Sequence, residues 1–352
     1  MVNSWIYILL ILGVAQTFEI KGVQFAGMPY TRLPLGDQRS HLSLERLATT
    51  GANHVVIPIT VFQDFKNSSL AYLGIHGFIT ETGTNEAPSE KDLVAILQAA
   101  KKLGLKVILQ FHALVNAPHW PDSRDIGHYW SYFNAFKWFE RYTELIEHYV
   151  KILEPQGIDI ISLGHNFLSI SGYEQHWKQL ANKLRTLTKA QLTYSAAFGD
   201  EERQTGFWDT LDYVSVFPRF KSSNQESLKA ELKEFTRSLL YMHKLWKKPV
   251  IVTRVAGCSR HSEPISQEVL FEAVHDAVVS LPYVKGIVFG DWAADILYDS
   301  RSDHSYNIQG KQSESLVRRF FGGQERQVDR PDGKPEYRFN CDCFRGHTTE
   351  DH

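Results

Sequence analysis

From Ile20 onward, short apolar runs rich in β-branched residues alternate with longer stretches in which apolar positions recur every three or four residues. The first pattern marks a strand buried on both faces of a parallel sheet, the second an amphipathic helix. Eight runs predict strands: Ile20 to Ala26, Asn53 to Ile59, Lys106 to Phe111, Ile158 to Leu163, Leu192 to Ala197, Tyr213 to Phe217, Val250 to Val255 and Gly286 to Phe289. A glycine or proline closes most units, as expected where the chain must turn between elements.

The helical stretches fall between them. Ser89-Glu90-Lys91-Asp92 reads as a capping box, after which Leu93, Ile96, Leu97, Ala100 and Leu103 share one face and Gly104 ends the helix. Tyr129 to Leu153 and Tyr173 to Leu187 flank the fourth strand. Leu228, Leu232, Phe235, Leu239 and Met242 repeat in the same way before the seventh strand, and Leu270, Val274, Ala277, Val278 and Leu281 before the eighth. Leu316 to Phe321 completes the series. Strand and helix alternating eight times predict the α/β class and a single (β/α)8 TIM barrel, whose usual length is met by residues 16–323. The polar stretch 324–352 reads as a loose tail, and Pro58, which cannot donate to a ladder, predicts a bulge in the second strand.

Composition narrows the partners. The chain of 352 residues is 43% hydrophobic and 22% charged with a formal charge of −2, enough for a large core and without a basic domain for nucleic acid. Trp5 to Val14 is apolar, too short to span a bilayer, and followed by small residues, so 1–15 reads as a signal peptide and the mature chain as secreted, with no membrane partner. Its n-region has no Lys or Arg, and the alternative is an uncleaved N-terminal anchor. In a secreted chain Asn67-Ser68-Ser69 is a glycosylation acceptor. The three cysteines allow at most one bridge, Cys258 with Cys341 or with Cys343, and fit no zinc site.

In a barrel of this kind chemistry is built at the C-terminal ends of the strands. His112, His165, Asn166, Phe217, Arg219, Arg254, Asp291 and Trp292 follow or end the predicted strands, with His119, Trp120 and Asp122 in the loop after the third. Aromatic rings beside amides, imidazoles and a guanidinium are the groups that line sugar-binding clefts. His112, His165, Asn166, Arg254, Asp291 and Trp292 are therefore the candidate sugar-binding set, with Trp292 as the platform.

Trp138-Phe139-Glu140-Arg141-Tyr142, Gly157 to Phe167, Gln191 to Gly199, Phe207 to Tyr213 and Lys248-Pro249-Val250-Ile251-Val252-Thr253 resemble glycoside hydrolase family 113, the β-mannanase-type barrels of clan A. Lys21-Gly22-Val23, Gly51-Ala52-Asn53 and Ile308-Gln309-Gly310-Lys311 extend the likeness over nearly the whole barrel. The resemblance implies a retaining glycosidase with a glutamate acid/base after strand four and a glutamate nucleophile after strand seven. At the matching positions this chain has Asn166, in Gly164-His165-Asn166, and Arg254, in Thr253-Arg254-Val255.

Retaining hydrolysis needs one carboxyl to protonate the leaving oxygen and a second roughly 5 Å away to attack the anomeric carbon. An amide has no titrating proton, and a guanidinium stays protonated. With charges about 4 Å apart and an effective dielectric of about 20, exchanging a carboxylate for a guanidinium raises the barrier by roughly 8 kcal/mol, about a millionfold in rate. The expectation is a secreted glycosidase-like protein without its catalytic pair that binds an oligosaccharide or a glycoprotein glycan and uses no cofactor or metal. Two further readings stay open: an active glycosidase with relocated acids, Asp291 first and Asp122 or Asp295 behind it, and a matrix or interaction module with an unused cleft.

Overall fold

The computed structural model describes residues 17–26, 33–63, 68, 72–73, 79–80, 83–84, 88–115, 123–127, 131–257, 259, 264–298 and 305–324. The apolar N-terminal run, Asn67, His119, Trp120, Asp122, all three cysteines and the tail beyond Gln324 lie outside them.

Eight parallel strands close into a barrel: β1 (Ile20–Ala26), β2 (His54–Gln63), β3 (Lys106–Val115), β4 (Ile160–His165), β5 (Gln191–Ala197), β6 (Val214–Phe217), β7 (Val250–Val255) and β8 (Val284–Ala293). Each pairs with the next in sequence, and β8 pairs with β1 to complete the ring. The helices on the outside are α1 (Gln38–Ala48), α2 (Glu90–Lys102), α3 (Tyr132–Leu153), α4 (Glu174–Arg185), a single turn α5 (Glu201–Gln204), α6 (Gln225–Trp246), α7 (Gln267–Val278) and α8 (Gln312–Phe321). The molecule is a single (β/α)8 barrel, as the periodicity predicts.

Local chemistry explains where helices begin. Ser89, Ser131, Asn224 and Ser266 accept the backbone N–H three residues on, which satisfies a donor the first turn leaves open. Ser89 also bonds the Asp92 carboxylate at 2.5 Å. The expected second half of that box, from Asp92 to the Ser89 backbone, is replaced by this side-chain bond. At the other end Gly104 adopts φ +74°, the left-handed turn its sequence position suggests.

Inside the barrel Ile20, Val56, Ile108, Ile160, Ile251 and Val288 form one apolar layer, with Tyr213 against it. Outward-facing residues such as Phe25, Phe111 and Phe289 pack beneath the helices in the main core. Above the apolar layer the lining turns polar, with Gln24, Gln110, Ser162, Thr193, Ser215 and Thr253 around a cavity of about 10 Å³. That volume is at the lower limit for one water molecule.

Three strands run further than their apolar cores: β2 to Gln63, β3 to Val115 and β8 to Ala293. Pro58 causes no bulge, since β2 keeps an unbroken register with β3 from His54 to Gln63. Pairing with β1 ends at Val56, so the missing donor falls where one edge of β2 has no ladder left to lose. Among the described residues no helix is long and apolar enough to cross a membrane.

Candidate functional site

The residues at the mouth are placed by irregularities in three strands. In β4 three steps, Ser162 to His165, match two in β5, Thr193 to Ser195. In β7 Val252 to Val255 match Ile287 to Phe289, and in β8 Phe289 to Trp292 match Val23 to Phe25 of β1. A bulge of this kind interrupts the in-out alternation and re-aims the residues beyond it. These are the strands that deliver Asn166, Arg254 and Asp291.

The β4 corner is tightly built. A Cβ on Gly164 would stand 2.5 Å from the Phe167 ring and 2.9 Å from Tyr194, so only glycine fits. Asn166 follows in the left-handed region at φ 60°, a conformation asparagine tolerates better than most residues. Its backbone N–H donates to the Ser195 carbonyl at 3.0 Å, and the Ser123 hydroxyl donates to its carbonyl at 3.0 Å. The side chain is 8% exposed and its Oδ1 has no hydrogen-bond partner, an arrangement that costs free energy where it stands.

Beside this corner His165 turns into the barrel. Its Nδ1 lies 3.0 Å from the Ser195 hydroxyl, which in turn lies 2.7 Å from Thr253 Oγ1. Its ring is sandwiched between His112, 4.7 Å away, and Phe217, 4.5 Å away. His112 Nε2 is 2.9 Å from Gln110 Oε1. Burial first, and then the nearby Arg254 guanidinium, push the His112 imidazole down to about 3. Burial, His112 and Arg254 hold His165 well below the usual histidine range. Both rings are neutral at ordinary pH and offer one donor and one acceptor each.

Arg254 also adopts a left-handed backbone, φ 43°, which is strained for a residue with a long side chain. Its Nε and Nη2 face the Asp291 carboxylate at 3.5 and 3.3 Å, and its guanidinium lies 5.4 Å from the centre of the Tyr306 ring. Asp291 is 3% exposed and accepts a further bond from Gln24 Nε2 at 2.8 Å. This carboxylate is occupied on both oxygens.

Trp292 is corrected by the structure. The bulge in β8 turns Asp291 inward and Trp292 outward, opposite Phe25 and beneath α1. The ring is 0% exposed, its Nε1 donates to Ser43 Oγ at 3.0 Å, and Arg46 stands 5.7 Å from its centre. A ring with no accessible face is core packing, not a sugar platform. Asp295 is likewise engaged, paired with Arg39 and capping the Leu297 N–H. The predicted residues His112, His165, Arg254 and Asp291 do converge, with Asn166 at the adjoining corner.

Sequence reasoning passed over their supports. Gln24, Gln110, Ser195 and Thr253 are polar residues inside otherwise apolar strand runs, and that interruption was the signal available. It also passed over Glu201, buried behind β5. Tyr194 hydroxyl and the Ala197 N–H donate to its carboxylate, and the same Tyr194 hydroxyl accepts from the Phe167 N–H at 3.1 Å. Burial pushes Glu201 up to about 7, against those hydrogen bonds and the Arg124 charge, which pull it down. This glutamate braces the corner next to Asn166 and has no exposed surface from which to reach a ligand. Among the described residues no group of three or more His, Cys, Asp or Glu side chains could hold a metal ion.

The fold matches solved glycosidases. The β-mannanase of Alicyclobacillus acidocaldarius, solved in complex with ManMIm, superposes with a TM-score of 0.73 at 21% identity over 87% of this chain and 97% of its own. A second family 113 β-1,4-mannanase gives 0.72 at 21% identity over 88% and 100%. The hyperthermostable endo-1,4-β-D-mannanase of Thermotoga petrophila gives 0.61 at 14% identity over 87% and 99%. No curated protein matches the sequence. The description of Glycoside Hydrolase Family 113 matches residues 27–311, most of the barrel from the end of β1 onward, and the chain therefore belongs to that family.

Proposed function

We propose that this chain is a secreted member of family 113 that binds a glycan at the barrel mouth without hydrolysing it. The observation that carries the reading is the pairing at strands seven and eight. Arg254, where the resemblance implies a nucleophile, faces Asp291, whose carboxylate is held by Gln24 and Arg254. The adjoining corner holds the amide of Asn166, nearly buried and with its Oδ1 unpartnered. Retaining chemistry needs two carboxyls roughly 5 Å apart across the sugar, and among the described residues lining the mouth this arrangement offers Asp291 alone, already committed. The neutral imidazole of His112, the Asn166 amide and the Arg254 guanidinium are competent partners for sugar hydroxyls. Family membership supports an oligosaccharide as the ligand, since the Alicyclobacillus acidocaldarius relative is a β-mannanase.

The test is a hydrolysis assay on β-1,4-mannan oligosaccharides beside calorimetric titration with the same sugars. The expected result is no turnover above a heat-killed control and weak binding that Asn166→Ala reduces. Turnover abolished by Asp291→Asn would establish a relocated catalytic site instead. Absence of both turnover and binding at millimolar sugar would leave the interaction module, with its cleft unused, as the better reading.

A further inference from the structure

The end of the barrel opposite the mouth, where strands begin and helices finish, carries a charge imbalance that the near-neutral composition conceals. Lys102, Lys106, Lys189, Lys244, Lys247 and Lys248 all stand at this end, exposed or half-exposed, and make no ion pair with a described residue. Most acids nearby are engaged, Glu19 with Lys285, Asp159 with Lys101, Asp212 with Arg185, and Glu154 with the Thr188 hydroxyl, while Asp276 in the last turn of α7 is exposed and reaches only its neighbour His275. Within α6 the charges are segregated, since its acids stop at Glu234 and residues 235–248 contain none. The buried His54, at the start of β2, registers the resulting field. Burial lowers it to about 4, and Lys106 and Lys101 push in the same direction, against Asp159.

Cations at helix C-termini complement the helix dipole, which accounts for Lys102 and Lys244. It does not account for Lys106 at a strand start or for Lys189 and Lys248 in the loops before β5 and β7. Two apolar side chains stand among these lysines, Leu103 at the end of α2 and Leu245 in the last turn of α6, exposed by 37% and 53%. A soluble polyanion would use the charges and leave the leucines idle. A lipid surface uses both, with phosphates meeting the ammonium groups and the leucines entering the boundary region.

We infer that the strand-start end of the barrel docks on an anionic phospholipid surface, leaving the mouth facing away. This departs from the expectation of no membrane partner and does not depend on the glycan reading.

Sedimentation of the protein as secreted, without residues 1–15, with phosphatidylcholine vesicles, with and without phosphatidylserine, tests it. Binding should require phosphatidylserine and weaken steeply with added salt, because exposed charges are screened over about 10 Å at 0.1 M. Each lysine near an anionic surface contributes about fivefold to partitioning, so the triple variant Lys189→Gln, Lys247→Gln, Lys248→Gln should bind on the order of 100-fold less well. The matched control Lys221→Gln, Lys229→Gln, Lys233→Gln, towards the mouth end of α6, should bind as the parent does. Equal losses in both triples would reduce the effect to net charge and overturn the inference. So would unchanged binding in the first triple, or binding to heparin that depends on these lysines while vesicles are ignored.

Discussion

Arg254 and Asp291 meet at the barrel mouth with Nη2 3.3 Å from Oδ2 and Nε 3.5 Å from Oδ1, although 37 residues separate them in the chain. The acid is 5% exposed in its side chain and the guanidinium 27%, so the pair sits between a buried and a surface ion pair. Its geometry is two-pronged but long, and its strength rests on how little of the Asp291 carboxylate meets water.

Arg254→Met should therefore destabilise the protein by about 1–3 kcal/mol, mainly by leaving a buried carboxylate short of hydrogen-bond donors. Adding Asp291→Asn should recover a good part of that loss. A double-mutant cycle by urea denaturation measures the coupling, and additive single effects would show that the two groups do not depend on each other.

Trp292→Ala should unfold the protein at lower temperature instead of only weakening sugar binding. The ring fills the space between β8 and α1 and bonds Ser43, and removing a fully buried tryptophan costs about 3–5 kcal/mol. Thermal denaturation followed by tryptophan fluorescence reads the shift. An unchanged midpoint would place the ring outside the core.

Glu201 gives stability a defined pH dependence. Its folded value, about 7, lies above the ordinary 4.5, so its contribution is complete below about pH 4.5 and is lost as pH rises through 7. The stability advantage of the parent over Glu201→Gln should shrink across that window by on the order of 3 kcal/mol. Denaturation curves at several pH values test the slope, and a gap that widens with pH would reverse the assignment.

His112 moves the opposite way. Its value is depressed to about 3, so its contribution is present above the ordinary 6.5 and is lost as pH falls towards 3. Its imidazole resonances should not titrate between about pH 5 and 8, the range in which an unperturbed histidine changes charge. A normal titration would mean that Arg254 and the barrel wall do not enclose the ring.

Sequence by itself determined the architecture, because strand and helix periods are local properties of the chain. The eight runs became eight strands, Gly104 and Ser89 closed and opened α2, and the strand-four and strand-seven corners were identified as the places to look for chemistry. The absence of carboxylates at 166 and 254 is likewise a fact of sequence.

Which face a residue takes after a bulge was decided only in three dimensions. Period-two counting along β8 from Val288 puts Trp292 inside and Asp291 outside, and one extra residue against β1 exchanges them. Partner choice was equally invisible: Gln24 reaches Asp291 across 267 positions, and His165 settles between His112 and Phe217 from three different strands. The same holds for Glu201, which a composition count sees as one surface acid among many and the fold encloses behind Tyr194. Closing the barrel brings β1 against β8, and only that closure fixes which polar side chains share the axis and which are sealed beneath the helices.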